Sequence, residues 1–195
     1  RMSQKVITLE KNGDNFDVVI PSRSLREFTS VFSDDIETVE VFFANNQILF
    51  RSEHISFYTR LLEGNYPDTD RLIPTEFNTE ATFNVANLRF AMERARLLSN
   101  ATQNGTVKLE FKNGVVSSHV HSPEVGRVNE EIDTSAVSGE DLSISFNPTY
   151  LIEALKAIDS EQVVIRFISS VRPFTLVPEG NEQGFIQLIT PVRTN

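Results

Sequence analysis

An α+β fold is expected for this chain: repeated β-α-β-β-β units whose helices lie on one face of antiparallel sheets. Three features point to it. Apolar residues switch between period 2 and period 3.6 along the chain, which separates strands from helices. Turn residues sit where period-2 runs break, at Asn45-Asn46 and Asn113-Gly114. The layout also recurs, with helix starts near Ser22, Asn84 and Asn147, each about 60 residues from the last, and a fixed period marks a repeated structural unit.

The first unit opens with the short strand Phe16–Pro21. Leu25, Phe28, Val31 and Phe32 then fall at helical spacing. Strands follow at Thr38–Ala44, Gln47–Ser52 and His54–Leu62. The second unit opens with Glu76–Phe83 and continues in a helix from Val85 to Leu98. Its apolar stripe is Val85, Leu88, Ala91, Met92, Ala95 and Leu98. Strands are expected at Thr106–Lys112, Val115–His121 and Arg127–Ala136. The third unit opens with Leu142–Phe146. Asn147-Pro148 then reads as an N-cap followed by proline in the first turn. Leu151, Ile152, Leu155 and Ile158 make that helix's stripe, and strands follow at Gln162–Ser169, Arg172–Val177 and Gly184–Thr190.

One helix on a few strands buries too little apolar surface to stand alone, so two units should make one domain. Units two and three then form a domain over 74–195. Unit one, within 1–73, is half of another. Arg1–Glu10 alternates like a strand entering from elsewhere, so the chain reads as a piece of a longer protein. Tyr66–Pro74, with its two prolines, reads as an extended linker.

The chain has 195 residues and a net charge of −9. That acidity argues against wrapping nucleic acid with the whole surface. Charge is unevenly spread, however. Helix 23–32 carries Arg23 and Arg26 against Glu27. Helix 85–98 carries Arg89, Arg94 and Arg96 against Glu93, and helix 148–158 balances Lys156 with Glu153. A basic helical face on an acidic body fits a protein that keeps DNA on one side, although on charge alone three ordinary helices with solvated arginines are the simpler reading. Cysteine is absent, which excludes disulfides, Cys-based zinc sites and thiol catalysis. No apolar run is long enough to span a membrane and no signal segment opens the chain, so a soluble intracellular protein is the default expectation.

His119 and His121, at i and i+2 on a strand, share a face and could ligate a metal, with Glu124 as the nearest further carboxylate. Exposed strand histidines are the simpler reading. Asp68-Thr69-Asp70 resembles the start of a calcium loop but lacks its glycine and terminal glutamate. Glu130, Glu131 and Asp133 read as an acidic strand surface rather than an acid/base group. There is no P-loop, nucleophile elbow or dinucleotide fingerprint.

Four segments carry a family resemblance: Leu61–Asp68, Leu97-Leu98-Ser99-Asn100, Phe146–Leu151 and the tail Thr190–Thr194. Together, in order over the whole chain, they resemble the bacterial DNA polymerase III beta subunit, the sliding clamp family. The resemblance implies the DNA-clamp fold: a ring of two chains joined head to tail, with helices lining a channel around duplex DNA. It implies a cytoplasmic, nucleoid-associated, non-catalytic subunit of a DNA polymerase holoenzyme with no cofactor and no metal. Its partners would be DNA polymerase subunits, the clamp loader and repair factors, docked through short peptide motifs. On this resemblance 1–73 is the second half of the middle clamp domain plus linker, and 74–195 is the C-terminal clamp domain.

Carried over residue by residue, the peptide pocket comprises Met2, Pro67, Arg71, Leu72, Asn147, Tyr150, Pro173, Leu188, Ile189, Thr190, Pro191, Val192 and Arg193. The candidate DNA-facing residues are Arg23, Arg26, Arg71, Arg89, Arg94 and Arg96. The ring interface would hold Leu97, Leu98, Glu130, Glu131 and Ile132. With the upstream domain absent, this chain alone should be monomeric. Two rival readings stand beside this one: an acidic metal-dependent α+β enzyme using His119 and His121, and an interaction scaffold that does not bind DNA.

Overall fold

The computed structural model describes residues 1–9, 13, 15–33, 35–99, 105–122, 126–181 and 184–193. Its elements in chain order are β1 (Met2–Lys5), α1 (Ser22–Val31), β2 (Glu40–Ala44), β3 (Gln47–Arg51), β4 (Ser56–Arg60), β5 (Thr79–Asn84), α2 (Val85–Ser99), β6 (Val107–Lys112), β7 (Val115–Ser122), β8 (Gly126–Ile132), β9 (Ala136–Gly139), β10 (Leu142–Phe146), α3 (Pro148–Lys156), β11 (Gln162–Phe167), β12 (Phe174–Pro178) and β13 (Phe185–Ile189). A 3-10 turn lies at Asp70–Leu72. The chain divides into two units, Leu9–Asp68 and a larger one formed by Arg1–Thr8 with Thr69–Asn195.

The smaller unit is α1 on the antiparallel sheet β2-β3-β4. Asn45 takes φ +50 in the β2–β3 turn, a left-handed conformation that asparagine tolerates. The registers Val41↔Phe50 and Phe50↔Phe57 set these side chains on one face. Phe28 of α1 packs there, 4.6 Å from the Phe50 ring, and the hydroxyls of Ser24 and Thr59 are 2.8 Å apart. The expected strand Phe16–Pro21 is extended but joins no sheet. The Val19 carbonyl accepts one bond from Leu62 N, while Phe16 turns its ring onto Phe43 at 4.4 Å.

The larger unit has a six-stranded sheet ordered β1-β13-β12-β11-β5-β9 and a four-stranded sheet ordered β10-β6-β7-β8. The repeats exchange their opening strands. β5 opens the second repeat but pairs with β11 of the third, and β10 opens the third but pairs with β6 of the second. This exchange fuses two repeats into one body, and α2 lies beside α3. The core holds the expected α2 stripe of Leu88, Ala91, Met92 and Ala95, with Leu151, Ile152 and Leu155 from α3. Phe111, Phe167, Phe174 and Phe146 form a chain of ring contacts with centroids 4.9, 5.2 and 5.1 Å apart.

Two expectations need correction. Arg127–Ala136 is not one strand. β8 ends at Ile132, and after Asp133–Ser135 the chain enters the other sheet as β9, paired with β5. Gly139 ends β9 with φ +97, where an added Cβ would lie 1.9 Å from the Asn78 carbonyl oxygen, so only glycine fits. At the other end, the strand expected over Arg1–Glu10 is the four-residue β1, antiparallel to β13. Val6 N extends the pairing with a 2.8 Å bond to Gly184 O. Those bonds place Arg1–Thr8 in the larger unit, and the units divide after Asp68 instead of after residue 73.

Candidate docking and DNA-facing sites

One cross-strand row runs Glu80, Arg166, Thr175, Leu188, Met2, each residue paired with the next across β5, β11, β12, β13 and β1. Directly paired residues share a face, so all five project from the same side of the sheet. Arg166 and Glu80 form an ion pair at one end. Thr175 and Leu188, at 1% and 3% exposure, are buried in the middle. Gln4, on the same face as Met2, donates to Asp70 Oδ1 at 3.2 Å. The Arg166 guanidinium lies 5.7 Å from the Phe77 ring. These two contacts lay the segment Asp70–Phe77 along this face, with Leu72 about half exposed beside it.

The buried Thr175 Oγ1 has no hydrogen-bond partner among the described residues. An unsatisfied buried hydroxyl costs about 1–3 kcal/mol, whereas an apolar group of the same shape does not. Thr175→Val is therefore expected to raise the melting temperature by a few degrees in calorimetry. A lower midpoint would show that the hydroxyl is satisfied.

The opposite side of the β1–β13 pair faces α3. Here Arg1, Ser3, Tyr150, Glu153 and Ile189 line a recess of about 360 Å³. Gln187, buried on this side, donates to the Ala154 carbonyl at 2.7 Å and locks β13 to the helix. Arg1 forms an ion pair with Glu153, and its guanidinium stands 5.0 Å from the Tyr150 ring centre. The C-terminal segment is tied down nearby, because Val192 N donates to Ser145 O at 2.7 Å. That bond brings Pro191 and Val192 to the start of α3. There the Asn147 side chain caps the helix by accepting from Thr149 N at 2.9 Å.

The expected pocket thus lies on two sides of one strand pair. Met2 and Leu188 share a face with the Asp70–Phe77 segment, whereas Ile189 points the other way into the core. Leu188 and Ile189 cannot form one wall, because successive strand residues alternate faces. Tyr150 at 37% exposure, Thr190 and Arg193 are open to solvent, while Pro173 and Pro191 are half-buried. Arg71 is exposed in the 3-10 turn. Pro67 belongs to the smaller unit.

A second site surrounds the edge strand β8. Arg94 of α2 hydrogen-bonds both Glu130 oxygens, one through Nε at 3.3 Å. The hydrogen bonds that it donates to Glu130 hold the Arg94 guanidinium above its usual pKa; burial works against this and the attraction of the carboxylate adds to it. Asn87, Phe90, Arg94, Glu131 and Asp133 surround a groove of about 250 Å³. Leu97 is 73% exposed. Leu98 packs against the core, and Ile132 is part of it.

Of the other candidate DNA-facing arginines, Arg23 is open and paired with Glu27 at 2.9 Å, and Arg26 is exposed. Arg96 is half-buried in the last turn of α2. Arg89 is half-buried, 3.9 Å from Glu93 and 5.3 Å from the Phe90 ring.

His119 and His121 do share a face, and both ring nitrogens of His119 and the Nδ1 of His121 are hydrogen-bonded. His119 Nε2 is 2.8 Å from Ser117 Oγ, and its Nδ1 is 2.8 Å from Asn129 Oδ1. His121 Nδ1 accepts from Arg127 Nε at 3.2 Å. A metal would have to displace these bonds, and no cluster of three metal-ligating residues occurs among the described residues. Glu124, Asn100 and Thr194 lie outside the described residues.

Comparison with known proteins also divides the chain next to Asp68, but it groups residues 1–8 with the first part, whereas their strand pairing groups them with the second. Residues 1–68 match the central domain of the DNA polymerase III beta subunit, and residues 70–193 match its C-terminal domain. The chain belongs to the DNA polymerase III beta subunit family. The beta sliding clamp of Streptococcus pneumoniae is 80% identical over 195 residues, all of this chain and 52% of that protein. The crystal structure of the S. pneumoniae beta chain superimposes with a TM-score of 0.96, covering 98% of this chain and 51% of that one. The beta subunit of Streptococcus pyogenes gives 0.94 at 70% identity, over 98% of this chain and 52% of that one. This chain therefore spans about half the length of the relatives it matches. The sheets and helices are those of the sliding clamp fold, as the sequence implied. The metal-enzyme reading finds no support.

Sequence reasoning missed Phe90, the Arg1–Glu153 pair and Gln187. Phe90 was detectable: it lies off the Leu88–Ala91–Met92–Ala95 stripe and on one helical face with Arg94 and Leu97. Arg1 and Glu153 are too far apart in sequence for any local pattern to connect them.

Proposed function

We propose that the chain is the latter half of a sliding clamp, a non-catalytic subunit that gives the replicative DNA polymerase its processivity by encircling duplex DNA. The class EC 2.7.7.7 carried by the S. pneumoniae beta chain is that of the polymerase it serves. Residues up to Asp68 supply the second half of the central domain, and the residues from 70 onward supply the C-terminal domain. The observation that carries this reading is the ordered match of the whole chain to two consecutive domains of one family.

The faces on either side of the β1–β13 pair, with Met2, Leu72, Tyr150 and the tail Thr190–Arg193, form the docking site for partner peptides. These come from DNA polymerase subunits, the clamp loader and repair factors. The arginines of α1 and α2 line the DNA channel, and they attract phosphate without reading sequence. β8 with Leu97 and Phe90 meets a second chain in a head-to-tail homodimer. The setting is the bacterial cytoplasm, at the nucleoid. No cofactor or metal enters this function. The test is primer extension by the cognate polymerase with a clamp of full length carrying this sequence. Long products that require a loaded clamp support the reading, and product lengths that ignore the clamp overturn it.

By itself the 195-residue chain is expected to be a monomer in dilute solution. β8 is an edge carrying Arg127, Glu130 and Glu131, and charge on an edge strand discourages pairing with its own copy. Light scattering across a dilution series checks this. A dimer that persists at every concentration would contradict it.

A further inference from the structure

Tyr150, Glu153, Ala154 and Ala157 stand at i, i+3, i+4 and i+7 along α3 and its C-cap, so they share one helical face. That face lies against the side of the β1–β13 pair that carries Arg1, Ser3, Gln187 and Ile189, and between them is the recess of about 360 Å³. Gln187 fixes the spacing of the two walls, because its Nε2 is committed to the Ala154 carbonyl at 2.7 Å. The short side chains of Ala154 and Ala157 leave room that longer residues on that helical face would fill.

Among the described residues that line the recess, Arg1 is the only cation and Glu153 the only anion. They form an ion pair, and both side chains are 48% exposed. A pair this open is weakly held, since water and salt compete with it. The Arg1 guanidinium also stands 5.0 Å from the Tyr150 ring centre, which orients it without help from Glu153. The cation is therefore positioned by the ring, and its carboxylate partner is exchangeable. A guanidinium receives a carboxylate through parallel N–H donors, and a carboxylate from a second molecule can use the same fork.

We propose that Glu153 stands in for a partner's carboxylate. The recess is an acid-accepting subsite, in which an acidic side chain of a partner peptide displaces Glu153 from Arg1 and lays its methylene stem along Tyr150 and Ala154. This rests on the docking reading given above and adds a charge preference to it. Glu153 sets the strength of that preference. An acid must compete with an internal carboxylate for one guanidinium, whereas a neutral side chain has no ion pair to gain.

Calorimetric titration of a clamp of full length carrying this sequence tests this. The probe is a synthetic peptide with two large apolar side chains and one glutamate, moved through the positions that flank them, beside the same peptides with glutamine. The quantity read is the ratio of glutamate to glutamine affinity. At the position that reaches Arg1, Glu153→Gln should raise this ratio several-fold, and the gain should fade as salt rises. Arg1→Gln should make the two peptides bind alike. A ratio that Glu153→Gln leaves unchanged at every position would overturn the proposal. A preference for glutamate that survives Arg1→Gln would also overturn it, since another cation would then receive the acid. Wild type that binds neither peptide would sink the docking reading and this proposal with it, whereas binding of both with a ratio indifferent to both substitutions sinks the proposal alone.

Discussion

A polymerase-derived peptide with two large apolar side chains is expected to bind this chain with micromolar affinity, and removal of Pro191–Asn195 is expected to weaken it at least about tenfold, or 1.4 kcal/mol. Each large apolar side chain buried against Met2, Leu72 or Tyr150 contributes roughly 1.5–3 kcal/mol. A few main-chain hydrogen bonds add about 1 kcal/mol each. Ordering the peptide and losing its translational freedom subtract much of that gain. What remains is about −8 kcal/mol, the micromolar range. The tail matters because the Val192 N to Ser145 O bond holds Pro191 and Val192 beside the start of α3. Calorimetric titration of wild type beside the deletion measures the difference. Tyr150→Ala is a second variant that leaves the Val192 bond in place and should also weaken binding. Equal affinity in all three proteins would remove this surface from the docking site.

The helices and most strands were legible in the sequence because their signals are local. The α2 stripe, the Asn147-Pro148 start of α3 and the Asn113-Gly114 hairpin each depend on residues within a few positions of one another. Strand exchange was not legible. That β5 pairs with β11 while β10 pairs with β6 follows from packing two repeats around one core, and no local pattern encodes it. The site divides along the same line. Residue types such as Tyr150 and Leu72 came from motif resemblance, whereas their arrangement depends on β1 pairing with β13. That pairing joins residues almost the whole chain apart. It places Met2 beside Leu188 and puts Ile189 on the other face. The arginines show a similar limit. Helical position brought Arg94 into the basic set, but its partner Glu130 arrives from another element and takes up much of its hydrogen-bonding capacity.

That difference among the arginines directs the second expected result. In a ring of full length carrying this sequence, Arg23→Glu, Arg26→Glu and Arg96→Glu together are expected to cut retention on closed circular duplex DNA at low salt by tenfold or more, and to flatten its salt dependence. Each phosphate contact releases about 0.9 of a counterion, worth roughly 1 kcal/mol near physiological ionic strength. Contacts bridged by water across a wide channel are worth less, but the three substitutions are doubled in a two-chain ring and each reverses a charge. Arg94 is left intact because it holds Glu130 at the β8 edge, and a loss there would confuse ring opening with loss of DNA attraction. Arg89 is left intact because its Nε is buried. Stability should change little: Arg23 is 85% exposed by side chain and paired with Glu27, and exposed pairs of this kind contribute about 0.3–0.5 kcal/mol. The readout is therefore retention at several salt concentrations beside the melting temperature. Lower retention with an unchanged melting temperature places these arginines in the channel. Normal retention and loading at every salt concentration would remove α1 and the end of α2 from the DNA-facing surface.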